Sequence, residues 1–81
     1  MTGVNPETLR DQVWNIPVAE LERLSLYYAR LESHIQTMLL VALFDSGWAL
    51  HRARLLRWAD DARQCWGIVE REMLWRGRAA A

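Results

Sequence analysis

Lysine is absent from this chain, and cysteine, proline and glycine are scarce. Each shortage removes a class of function. A single cysteine, Cys65, cannot close an intrachain disulfide, and no Cys/His cluster has the spacing of zinc ligands. Four glycines leave no glycine-rich phosphate loop, and no paired carboxylates are spaced for acid/base work. The longest apolar run, Met38 to Phe44, falls far short of the roughly 20 residues that span a bilayer. No basic stretch followed by a long apolar segment opens the sequence, so no secretory signal is expected and a reducing, cytoplasmic setting is the default. Excess charge of either sign is also missing. The formal net charge is zero, which gives no overall drive toward a polyanion. All ten basic residues are Arg, an imbalance that a GC-rich genome accounts for more simply than function does.

What is present is apolar and helical in pattern. Hydrophobic residues make up 52% of 81, a composition that folds rather than stays disordered, in a chain long enough for one marginal domain spanning 1–81. Five tryptophans, at 14, 48, 58, 66 and 75, are large apolar surfaces that cores and interfaces use. Two apolar stripes flank Asp45-Ser46-Gly47. Leu21, Leu24, Tyr28, Leu31, Ile35, Met38 and Ala42 recur at steps of three and four, and so do His51, Leu55, Trp58, Ala62, Cys65 and Val69. The spacing predicts two long helices, about 17–44 and about 48–76, joined where Gly47 can take the left-handed conformation that ends a helix. The first would be roughly 42 Å long at 1.5 Å per residue. Asn5-Pro6-Glu7 reads as an N-cap, a first-turn proline and a first-turn acid, so a short helix over about 6–14 precedes them. Pro17 closes it or opens the next. Gly67 is the one objection inside the second long helix; it reads as a tolerated helical glycine, a slight kink, or a site of close approach by another helix. Gly77 and the terminal alanines should fray.

Folded about residue 46, the pair should match residues whose numbers sum to about 93. The layers are then Ala42 with His51, Met38 with Leu55, Ile35 with Trp58, Leu31 with Ala62, Tyr28 with Cys65, and Leu24 with Val69. The same rule sets Glu22 near Arg71 and Arg23 near Glu70, exposed pairs worth ~0.2–1 kcal/mol each. Residues 1–47 carry three Arg against six acids and residues 48–81 seven Arg against four, so antiparallel pairing places opposite signs side by side.

The fold class is therefore all-α: a long antiparallel hairpin with a short N-terminal helix, expected to pair into a four-helix-bundle-like dimer. A hairpin leaves apolar residues unused. Leu40, Leu43, Phe44 and Trp48 cluster near the turn, and Leu50, Ile68 and Trp75 fall on one line behind the second stripe. These seven are the expected partner-binding residues, since large exposed apolar patches mark interaction sites. The expected function is a small non-enzymatic interaction module, such as an adaptor, a chaperone-like subunit or an inhibitor of another protein, with a homodimeric or heteromeric protein partner and no cofactor or metal. The alternative is a dimeric nucleic-acid-associated regulator using Arg52, Arg54 and Arg57, but helical spacing spreads these around the helix and Asp60 and Asp61 follow directly. His51 reads as a packed or capping histidine, His34 as solvent-facing, and Cys65 as a buried, inert thiol.

Overall fold

The protein, seen in a computed structural model, is described over residues 5–45, 47 and 50–80. Among the described residues, the first helix and the two long ones that follow it are α1, Pro6–Gln12; α2, Val18–Phe44; and α3, Arg52–Ala80; Gly47, between α2 and α3, is also helical. A 3-10 turn, Val13–Asn15, extends α1. The two long helices pack against each other as an antiparallel pair in a body 51 × 19 × 15 Å across, and α1 lies against α3.

Each boundary has a local cause. The Asn5 side chain accepts from the backbone N–H groups of Glu7 (3.0 Å) and Thr8 (3.3 Å), satisfying two donors that α1 leaves without partners. Ile16 and Pro17 are extended, so Pro17 caps α2 from outside and its carbonyl accepts the first helical bond, from Leu21 (3.0 Å). Helix α2 does not end on a left-handed glycine: Gly47 has no positive φ. Asp45 leaves the helix in an extended conformation, and its carboxylate accepts from the Gly47 N–H at 2.9 Å. An aspartate reaching two residues forward makes the turn that the glycine was expected to make. Helix α3 begins at Arg52, where the His51 carbonyl takes its first bond from Leu55, so Leu50 lies in the turn before it. At the other end it runs through Gly77 to Ala80 rather than fraying, as alanine's high helix propensity favours. Gly67 is an ordinary helical glycine: a Cβ built there meets nothing within 4 Å, so no helix of the chain approaches it closely.

The expected register is met in its central layers and shifted at the turn end. Tyr28 and Cys65, one of the named pairs, are buried together in one cluster. Leu21, Tyr28, Ile35 and Ala42 are the buried residues of α2, as the stripe requires. On α3 the buried row is Leu55, Ala59, Ala62, Cys65 and Val69. Ala59 thus replaces Trp58, which stands at the rim with 38% of its surface exposed. An indole between the helices would hold them apart, whereas alanines at 59 and 62 let them close around Ile35 and Leu31. His51, expected in the last layer, is exposed.

Two clusters result. At the open end, where α2 starts, Val13, Leu21, Tyr28, Cys65, Ile68 and Val69 are buried together. Nearer the turn, among the described residues, Ile35, Leu55 and Ala59 form a smaller buried group, and Ala42 is buried as well.

Candidate interaction surface

The open half of the hairpin is tied on both sides by its own chain, while Leu26, Tyr27, Leu74 and Trp75 stay exposed there. On one side the N-terminal segment lies along α3, with Val13 inserted beside Ile68 and Val69. Arg76 fixes it there. Its guanidinium donates to the carbonyls of Val13 (3.1 Å), Trp14 (3.0 Å) and Ile16, and its Nε to Glu72 at 3.2 Å. These carbonyls lie where the 3-10 turn ends; the Val13 carbonyl takes one backbone bond there, from Ile16 at 3.2 Å, and a planar cation with several donors suits the acceptor capacity that remains. On the opposite side, polar groups bridge the helices. Glu70 accepts from Ser25 and from the Trp66 indole (3.0 Å), and Arg63 donates to Glu32 at 3.0 Å. The pairing of Arg23 with Glu70 expected from the register is therefore replaced: Glu70 takes the two uncharged donors, and Arg23 turns to Glu20 on its own helix at 3.4 Å. Tying a part-buried carboxylate to a hydroxyl and an indole keeps both amphipathic groups satisfied at the helix–helix seam.

The same two sides differ near the turn. On the side that α1 follows, a groove of about 540 Å³ opens between Met38 and the row His51, Arg54, Leu55 and Trp58. On the other, a groove of about 210 Å³ is lined by Leu39, Leu40 and Leu43 from α2 and by Arg52 and Leu56 from α3.

The residues expected to bind a partner divide accordingly. Leu40 and Leu43 share the smaller groove, both more than half exposed. Phe44 and Leu50 flank the turn, and Phe44 is 90% exposed. Trp75 is exposed as well (66%) but lies on α3 about 28 Å from Leu56 at 1.5 Å per residue, so it belongs to no common patch with them. Ile68 is a correction: only 9% of its surface is exposed, because Val13 and the N-terminal segment cover it. Trp48 lies outside the described residues. Leu56 joins this surface; in the sequence it stands in the row Arg52, Leu56, Asp60, four residues apart and so on one ridge of α3.

The chemistry of the interior is quiet. Burial pushes the Tyr28 hydroxyl up to about 12, with the Cys65 sulfur beside it acting in the same direction, and burial raises the Cys65 thiol too. Both stay neutral at ordinary pH, and the thiol is not a nucleophile there. Among the described residues, no group of three or more His, Cys, Asp or Glu side chains could hold a metal ion, and no helix is long and apolar enough to cross a membrane. The arginines do not form one basic face: Arg54 lines the larger groove, Arg52 the smaller one on the other side, and Arg63 is paired with Glu32. No family model matches the chain, and no curated protein or solved structure matches it significantly.

Proposed function

We propose that the chain is a small non-enzymatic protein–protein interaction module that acts through apolar helix faces in the turn-proximal half of its hairpin. The observation that carries this reading is the group of exposed apolar residues near the turn, Leu40, Leu43, Phe44, Leu50 and Leu56, three of which line one groove with Leu39. The accessible surface supports it. A compact monomer of 9.5 kDa exposes about 5,000 Å², and this one exposes 6093 Å². The radius of gyration is 14.8 Å, against about 11.7 Å for a compact 81-residue chain.

The spread of Arg52 and Arg54 over two sides of α3 removes the continuous positive stripe that a nucleic-acid reading needs. A double replacement, Leu40→Glu with Leu43→Glu, tests the proposal. Helix content should stay, while binding of an apolar fluorescent dye and any association seen by sedimentation should fall together. A wild-type chain that binds no dye and does not associate would refute the reading. Steeply salt-dependent binding to DNA or RNA would favour the nucleic-acid alternative instead.

A further inference from the structure

We infer that the smaller groove is the interface between two copies of this chain, packed face to face and pointing in opposite directions about a twofold axis beside Leu56. This rests on the interaction-module reading above and names its partner. Two observations select a second copy.

First, the charges are arranged for self-complementarity. Arg52 and Asp60 lie four residues either side of Leu56, all three exposed. A twofold axis in the interface plane, perpendicular to the helices, stacks α3 on the second copy's α3 in antiparallel order. With Leu56 against Leu56, Arg52 of each copy then meets Asp60 of the other, twice by symmetry. Asp60 already accepts from Gln64 at 2.7 Å through one oxygen, which orients the carboxylate and leaves its other oxygen for the guanidinium.

Second, α2 agrees with the same axis. The groove takes Gln36, Leu39, Leu40 and Leu43 from α2, a set centred between Leu39 and Leu40. The hairpin register places that point within about one turn of Leu56. Stacking α2 on its copy therefore sets Leu39 against Leu40 at the level where α3 sets Leu56 against Leu56. One axis serves both helices and closes an antiparallel four-helix layer.

Sedimentation across a range of concentrations tests this, with circular dichroism to confirm that each variant is folded. The wild-type chain should form a concentration-dependent dimer, and Leu56→Glu should leave a folded monomer. Arg52→Glu and Asp60→Arg should each weaken the dimer about tenfold, because each sets like charges together at two symmetric points. The double variant Arg52→Glu with Asp60→Arg recreates both pairs in reverse and should recover most of that loss. A double variant no tighter than either single one overturns the inference, as does a dimer that survives Leu56→Glu. A wild-type chain that stays monomeric at every concentration but binds apolar dye at Leu40 and Leu43 overturns it as well, while leaving the interaction-module reading intact with a different chain as the occupant.

Discussion

Arg76 is the single residue on which the N-terminal segment most depends, and its removal should show how much that segment adds. Its side chain, one quarter exposed, gives hydrogen bonds to three carbonyls, those of Val13, Trp14 and Ile16, and is held by Glu72. A hydrogen bond to a charged group is worth about 1.5–3 kcal/mol net, but these bonds share one partly exposed cation, and water can take its place at some of the carbonyls. The expected cost of Arg76→Met, which keeps much of the apolar stem, is therefore about 2–3 kcal/mol rather than the sum of three bonds. That is a large share of the roughly 4–12 kcal/mol expected for a domain of this length.

Urea unfolding followed by circular dichroism, at one fixed protein concentration so that association does not move the midpoint, measures it. Limited proteolysis supplies the location: cleavage should accelerate between Val13 and Pro17, where the clamp sits. Arg76→Lys should recover less than half of the loss, because an ammonium is a point charge and cannot reach three carbonyls in a planar fork. A loss below about 0.5 kcal/mol for Arg76→Met, or full recovery by lysine, would show that apolar contacts of Val13 alone hold the segment and that the guanidinium geometry is incidental.

Other outcomes follow from the same coordinates. Ile68→Ala should cost about 2–4 kcal/mol, as for a packed core residue, while Trp75→Ala, two turns further along α3 and exposed, should cost little; denaturant midpoints for the two variants decide whether the N-terminal segment covers Ile68. Gly67→Ala should stabilise the chain by about 0.5–1 kcal/mol, since the added methyl meets nothing and helix propensity rises; destabilisation in a thermal melt would mean that another helix does approach Gly67. Because the folded Tyr28 hydroxyl ionises near 12 and an unfolded one near 10, the folded state holds its proton more tightly. Stability from this group is complete below pH ~10 and is lost as pH rises toward ~12, and Tyr28→Phe should remove that part of the alkaline decline in urea midpoint.

Local signals in the sequence were read successfully where the cause is itself local. Asn5-Pro6 starts α1 because an amide side chain and a fixed φ act within four residues. The register of the long pair was legible because Leu21, Tyr28, Ile35 and Cys65 repeat the helical period on both arms. The failures have a different physics. Trp58 and Ala59 are adjacent, and a rotation of α3 by one residue exchanges them; periodicity alone does not fix the rotation, whereas the smaller volume of alanine at the seam does. Ile68 looked unused because the hairpin was considered as two helices, and only the packed N-terminal segment shows what lies over it. Arg76 carries no signature at all. Its acceptors are backbone carbonyls some sixty residues away, and every residue has a carbonyl. Leu56 stands in the row Arg52, Leu56, Asp60, whose significance depends on which side of α3 remains open.

The distribution of the core bears on how the exposed half could persist. The open half buries six apolar residues around α1, and it ends in polar bridges that fix the helices relative to one another. Among the described residues the turn half has the smaller buried group, Ile35, Leu55 and Ala59, with Ala42 buried as well. Local opening is easiest where buried apolar contact is sparse, so the turn half is the less able to hold its own shape. A second surface laid over Leu39, Leu40 and Leu56 would add the third layer that α1 provides at the other end. On the proposed dimer, association and consolidation of the turn half would be one process.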